Sequence, residues 1–147
     1  VVGKYFGAGD ARNFRNAIRV SFQWGIGISI VLVFSFYFFG KEILQILTDN
    51  QEVINAAVPF MGWLIIAPII HAVPFIWDGV YIGVTASKAM RNTMLLSTFL
   101  FFLPAYYLFH NVMGNHALWL ALTLLMLARG ISQTILAKHI VFNRLKS

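Results

Sequence analysis

One acidic side chain lies within an otherwise apolar stretch of the sequence. Asp78 stands in FIWDGVYIG, residues 75–83, and it carries the only Asp, Glu, Lys or Arg charge between Glu52 and Lys88. A charged side chain in hydrocarbon costs about 3 kcal/mol, so it needs a partner, a water-filled cavity or an ion pathway. Asp78 is therefore the first candidate for chemistry in this chain.

A later apolar run carries two further polar residues, Arg129 and Gln133. Asp78 precedes Lys88 by ten residues and Arg129 precedes Lys138 by nine, so both charges lie at about one depth if those lysines mark the same boundary. Two readings stay open. Asp78 forms a fixed ion pair with Arg129, or it faces a cavity where it binds a proton or Na+ alternately with an organic cation.

Two more side chains belong to the candidate site because of their spacing from Asp78. His71 precedes Asp78 by seven residues and so shares its helix face, and Tyr81 lies beside them. His71 is either a packed polar residue or part of a proton relay. No cluster of metal ligands and no pairing of a nucleophile with a base accompanies these residues, so the sequence predicts neither a metal site nor an enzyme.

Composition shows which solvent must surround this site. Of the 147 residues, 59% are hydrophobic and 11% are charged, and the mean hydropathy is +0.76. A soluble domain of this composition would lack the polar residues needed to cover its surface. There is no cysteine, so a disulfide framework is excluded. We therefore predict an all-α integral membrane protein.

The gaps between charges give four predicted membrane spans, since about 20 apolar residues cross a bilayer as a helix. The spans cover residues 20–40, 56–85, 92–111 and 117–137, and residues 1–147 form one transmembrane unit. Residues 1–19 contain a helix end, a loop and a basic stripe, whereas residues 138–147 form a tail.

Charges outside the spans predict the orientation, because Lys and Arg in short loops stay cytoplasmic. Basic residues dominate both ends and the second loop; they are Lys4, Arg12, Arg15, Arg19, Lys88, Arg91, Lys138, Arg144 and Lys146. Both ends are therefore expected in the cytoplasm, with the protein in the inner membrane. The net charge of +6 indicates attraction to the lipid bilayer rather than to nucleic acid.

Within the second span, Pro68 and Pro74 are interior and predict a kinked or partly broken helix. Gly79 and Gly83 form a small-residue pair suited to close helix packing, and Gly25 lies in a similar stripe of the first span.

Local patterns predict the helix ends. Asp10 is expected to cap the first long helix, and KEILQIL, residues 41–47, to form a separate short interfacial helix. Thr48 or Asp49 is expected to open the next helix as part of a capping box.

Four stretches, taken together, resemble the C-terminal third of a multidrug and toxic compound extrusion (MATE) transporter, in its DNA-damage-inducible protein F-like branch. They are VVGKYFGAGDARNFRNAIR, LTDNQEVINAAVPFMGWL, FIWDGVYIGVTASKAMRNTMLLS and NHALWLALTLLMLARG. The resemblance implies twelve helices in two lobes around a central cavity. The four spans would then be helices nine to twelve, and Asp78 would match an acidic residue that takes part in cation coupling in some members.

The resemblance implies a secondary active exporter of organic, amphipathic or cationic compounds, driven by H+ or Na+ through alternating access. Its partners would be the lipid bilayer, the N-terminal lobe of the same chain and small organic cargo, with no cofactor besides the coupling ion. Val1 in place of an initiating Met favours a fragment. Two alternatives are a four-helix antiporter working as a dimer and a non-transporting structural or assembly protein.

Overall fold

A computed structural model describes residues 1–142, and in this range four helical segments are long and apolar enough to cross a membrane. They are Ala11–Leu47, Gln51–Gly83, Ser87–Met113 and Asn115–Phe142. The described range contains helices and turns but no strand. The predicted all-α membrane fold with four spans is confirmed.

Residues 1–142 contain seven α-helices, of which the first precedes the four segments and the other six build them. They are α1 Val2–Gly7, α2 Ala11–Leu47, α3 Gln51–Ala57, α4 Met61–Gly83, α5 Ser87–Ser97, α6 Leu103–Met113 and α7 Asn115–Ala137. A 3-10 turn, Val58–Phe60, joins α3 to α4, and π-helical turns at Thr98–Phe102 and Lys138–Phe142 follow α5 and α7.

Helix α2 begins where the sequence predicts. The backbone N–H of Asn13 donates to one carboxylate oxygen of Asp10 at 3.0 Å, and the Asn13 side-chain amide donates to the other at 2.6 Å. The backbone bond, followed by the side-chain bond, holds the pKa of Asp10 below its ordinary value. Asp10 is therefore the N-cap of α2.

Helix α2 is kinked at Phe39, whose φ of −121° and ψ of 20° depart from helical geometry, so residues 41–47 form a short helical stretch beyond the kink. This agrees with the short helix predicted there, and its place at the membrane interface stays a prediction. The predicted capping box is wrong, because Asn50 caps α3 by accepting the N–H of Glu52 at 2.9 Å. The Thr48 hydroxyl instead accepts the N–H of Asn50.

Helix α4 continues through Pro68 and Pro74 as one α-helix. In the second segment the helix type changes earlier, at the 3-10 turn Val58–Phe60, which contains Pro59. A bend at the two interior prolines stays a prediction.

The main core lies where α2 begins and where α4 and α7 end. Nine buried residues form this Phe14 cluster: Phe14, Ile18, Trp77, Val80, Tyr81, Val84, Ala86, Ala137 and Val141. The Phe14 ring is fully buried between the rings of Phe6 and Phe142, with centroids 5.8 and 6.3 Å away. The cluster fixes the ends of α2, α4 and α7 relative to one another.

Two of the three glycines expected at helix contacts lie against a neighbouring element. A Cβ on Gly25 would lie 2.5 Å from Cδ1 of Ile76 in α4, and one on Gly83 would lie 3.2 Å from the backbone N of Gly3 in α1. A Cβ on Gly79 would meet no atom within 4 Å in residues 1–142. The close approach of α1 to α4 is therefore at Gly83 and not at Gly79.

Candidate functional site

Asp78 lies between α4 and α7, with both carboxylate oxygens engaged by side chains of α7. Nη2 of Arg129 donates to Oδ2 at 2.6 Å, and Nε2 of Gln133 donates to Oδ1 at 2.7 Å. Arg129 and Gln133 are four residues apart on one helix face, which lets them meet the same carboxylate. Three of the five candidate residues thus form one cluster.

The cluster is largely closed to its surroundings. The side chain of Arg129 is 8% exposed and that of Asp78 is 16% exposed, and Gln133 is fully buried. A charge-assisted hydrogen bond in such a setting is stronger than one between neutral groups. Removing one partner would leave the other charge buried and uncompensated.

Tyr81 anchors the same two helices one turn further along α4. Its hydroxyl donates to the backbone carbonyl of Gln133 at 2.8 Å, and the residue is fully buried. The indole N–H of Trp77 donates to the Thr134 hydroxyl at 2.8 Å. Hydrogen bonds made by Trp77, Asp78 and Tyr81 of α4 therefore fix how α7 is rotated about its own axis relative to α4.

A glycine permits the close approach of the two helices. A Cβ on Gly130 would lie 3.3 Å from both Cδ of Pro74 and Cγ1 of Val73, closer than ordinary van der Waals contact. Gly130 directly follows Arg129, so the short spacing occurs beside the ion pair. We infer that this contact sets the distance over which Arg129 reaches Asp78.

Two polar atoms of the cluster have no hydrogen-bond partner within residues 1–142. They are the donor Nε of Arg129 and the acceptor Oε1 of Gln133, both buried. A buried polar atom without a partner costs about 1–3 kcal/mol. The cluster therefore has the donor and acceptor needed for one additional polar group.

His71 does not join this cluster. It lies along an apolar groove between α2 and α4 that Ser29, Pro68 and Phe75 also line, and its ring packs edge-on against Phe75 at 6.0 Å between centroids. No side chain of residues 1–142 forms a hydrogen bond with its imidazole. The shared helix face predicted from the seven-residue spacing does not bring His71 to Asp78.

Trp77 and Thr134 belong to the site but were not predicted from the sequence. A signal was present, because a buried indole N–H usually has an acceptor and Thr134 follows Gln133 directly. Identifying Thr134 as the acceptor requires knowing how α7 is rotated relative to α4, and sequence spacing alone does not show this rotation.

Comparisons with known proteins place this geometry in a family context. The MatE family model matches residues 1–108, a range that contains Asp78 but not Arg129 or Gln133. DNA damage-inducible protein F of Escherichia coli (strain K12) is 29% identical over 130 residues, which cover 88% of this chain and 28% of that protein. The chain thus spans about 28% of the length of this curated relative. No solved structure matches the chain.

Proposed function

Because the chain belongs to the MatE family, whose members are membrane transporters and not enzymes, we propose that it forms part of a secondary active exporter. The exporter moves organic, amphipathic or cationic compounds out of the cell in exchange for H+ or Na+. Its two lobes alternate between openings to either side of the membrane, with this chain supplying part of one lobe.

The observation that carries the proposal is the position of the Asp78 carboxylate, on a membrane span and between two helices. Arg129 neutralises this carboxylate in the present structure. A proton, a Na+ ion or a cationic compound would compete with the guanidinium for the negative charge of Asp78. In our proposal, Arg129 is thus the resident cation with which the coupling ion competes.

The unpaired atoms of the cluster support this exchange. If Arg129 leaves Asp78, the amide of Gln133 still donates to the carboxylate and its Oε1 is available to an incoming ion. Tyr81 bonds to the backbone of Gln133 and not to its side chain, so this anchor persists during the exchange. The helices can therefore stay together while the charge partner changes.

An apolar groove beside the ion pair supports an amphipathic cargo. It has a volume of about 400 Å³ and lies between α4 and α7, where Val73, Met126, Gly130 and Ile131 are among its lining residues. Apolar walls with few polar groups are typical of sites that accept varied organic compounds. Gly130 of the groove directly follows Arg129 in the chain, although neither Arg129 nor Asp78 lines the groove.

The Asp78 role is tested with Asp78→Asn, Arg129→Gln and the double variant in the full-length protein. Each single variant leaves one buried partner unpaired, so we expect a loss of about 3–5 kcal/mol in stability, measured as a lower Tm. The double variant should recover stability. Ethidium export by proteoliposomes under an imposed H+ or Na+ gradient should be lost in Asp78→Asn and in the double variant.

Trp77→Phe is the matched control, since it removes an α4–α7 hydrogen bond without changing a charge. It should retain export driven by the gradient. A double variant that exports ethidium at the parental rate would show that Asp78 has no part in coupling. The ion pair would then be a structural lock between the helices.

We further propose that the protein lies in the inner membrane with both chain ends on its cytoplasmic side, as the distribution of basic residues suggests. Residues 1–147 contain no cysteine, so an introduced cysteine would be the only one in this part of the protein. In intact cells an impermeant maleimide should label Asn111→Cys, in the last turn of α6, but not Ser87→Cys at the start of α5. Labelling of Ser87→Cys from outside would reverse the orientation.

A further inference from the structure

The first turns of α2 form a basic groove, which is separate from the ion pair. Its lining consists only of Arg12, Asn13, Arg15, Asn16 and Arg19, and its volume is about 560 Å³. All five residues are exposed. We call this feature the arginine groove.

The opposite face of the same turns is fixed by packing. Phe14 and Ile18, which alternate with the arginines along α2, are 0% and 6% exposed in the Phe14 cluster. The guanidinium of Arg15 lies over the ring of Phe142, 5.8 Å from its centroid. The groove is therefore carried by a rigid part of the fold, and Arg15 has a preferred position within it.

The charge of the groove is offset only in part by the acids of residues 1–142. No salt bridge to Arg12, Arg15 or Arg19 is formed within this range, although Asp10 is close enough to attract the charge of Arg12. Both carboxylate oxygens of Asp10 accept bonds from Asn13, which occupies one N–H of the Asn13 side-chain amide. The remaining acids, Glu42, Asp49, Glu52 and Asp78, lie near the far end of α2 or in the ion pair. Three guanidiniums, the Asn16 amide and the second N–H of the Asn13 amide thus present donors to one exposed space.

The depth of the groove matches that of lipid headgroups. Arg19 directly precedes the uncharged run 20–40, so it marks the edge of the hydrocarbon. Arg12 lies seven residues earlier, about 10 Å along the helix. The headgroup region on each side of a bilayer is about 5–8 Å thick. A phosphate held in the groove would lie within that layer.

We propose that the arginine groove binds the phosphate of an anionic phospholipid in the leaflet next to this end of the bundle. Guanidinium groups can donate two hydrogen bonds to one phosphate, and the amides of Asn13 and Asn16 add neutral donors. The groove accepts one headgroup at a defined position, in contrast to the diffuse attraction between any basic surface and an anionic membrane.

Native mass spectrometry of the full-length protein in detergent micelles tests the proposal, with phosphatidylglycerol and phosphatidylcholine as probes. Arg15→Gln/Arg19→Gln removes two charges from the groove. Its control, Lys88→Gln/Arg91→Gln, removes two exposed charges at the start of α5, outside the groove. We expect phosphatidylglycerol affinity to fall about 25-fold in the groove variant and less than about 2-fold in the control.

A charge-conserving variant guards against a folding defect. Arg12→Lys/Arg15→Lys/Arg19→Lys keeps the net charge but loses the paired donors of each guanidinium, so the preference for phosphatidylglycerol over phosphatidylcholine should fall several-fold. Equal losses in the groove variant and its control would overturn the proposal in favour of diffuse attraction. An unchanged preference in the lysine variant would also overturn it.

A third measurement separates a lipid headgroup from a soluble phosphate. Inorganic phosphate at millimolar concentration should not displace phosphatidylglycerol, because the acyl chains hold the lipid at the depth of the groove. Displacement would assign the groove to a soluble phosphate compound and contradict the proposal. All these measurements are independent of transport, so they hold or fail separately from the exporter assignment.

Discussion

The two ends of α2 have opposite environments. Near Asp10 its Phe14 and Ile18 are buried among α1, α4 and the turn after α7. Beyond Gly25 most large apolar side chains of α2 are exposed. Within residues 1–142, Ser29 and Gly40 are the only buried residues in this part of the helix. The first end is anchored by packing within this chain, whereas the second presents an apolar face to lipid or to another part of the protein.

Aromatic residues make this difference measurable. Phe14 is fully buried between two other rings, while Phe34 is 57% exposed and stacks on Phe38 at 6.3 Å. In a bilayer, transfer of apolar surface from water contributes little to helix association, so packing is what distinguishes the two positions. Contacts within the chain are therefore the quantity to perturb.

The largest effect is expected for Phe14→Ala. It would leave a cavity in the Phe14 cluster and lower the free energy of unfolding by about 3 kcal/mol. Phe34→Ala, the matched control, should change it by less than about 0.5 kcal/mol. Thermal unfolding of the two variants in the same detergent measures the contrast. A comparable loss at Phe34 would show that this face packs against another segment.

A smaller effect is expected from adding a methyl group where α1 meets α4. The Cβ introduced by Gly3→Ala would lie 2.9 Å from the carbonyl O of Gly83, a backbone atom that cannot rotate away. We expect a loss of about 1–3 kcal/mol in stability.

The control for Gly3→Ala is Gly79→Ala, whose added methyl meets no described atom within 4 Å. Alanine favours a helix over glycine by about 1 kcal/mol, so this variant should be neutral or more stable. Destabilisation at Gly79 equal to that at Gly3 would place a further packing partner against this face of α4. Thermal unfolding of both variants decides between these results.

The smallest effect concerns the turn between α4 and α5. Thr85 has a φ of 56°, a conformation that is costly for a β-branched residue. Thr85→Gly should therefore stabilise the protein by about 1 kcal/mol. Thr98→Gly, at a helical φ of −65°, should instead destabilise it by a similar amount. A loss of stability in Thr85→Gly would mean that no strain is stored there.

The sequence was sufficient for the features that depend on depth along the membrane normal. The gaps between charges marked all four spans, and the matched distances to Lys88 and Lys138 placed Asp78 and Arg129 at one level. The observed ion pair between Asp78 and Arg129 agrees with this shared depth. Depth is readable because hydrocarbon excludes charge, so each lysine marks a boundary.

Two kinds of feature were not predictable in this way: which of several residues caps a helix, and how a helix is rotated about its own axis. Thr48, Asp49 and Asn50 are consecutive residues that all favour helix starts, so local chemistry does not single out Asn50. His71 lies about 10 Å before Asp78 along α4, so a shared helix face does not bring the two side chains into contact. Which neighbouring helix each of them meets depends on how α4 is rotated, and that rotation is set by contacts between distant residues, such as Gly130 against Pro74.

The length of α2 gives it a mechanical property. The kink at Phe39 divides its 37 residues into an arm of about 42 Å before the kink and one of about 12 Å after it. Both arms lie against α4, the first where Gly25 meets Ile76 and the second where Gly40 meets Met61. A tilt of α2 would therefore have to carry α4 with it, so the two helices form one mechanical unit.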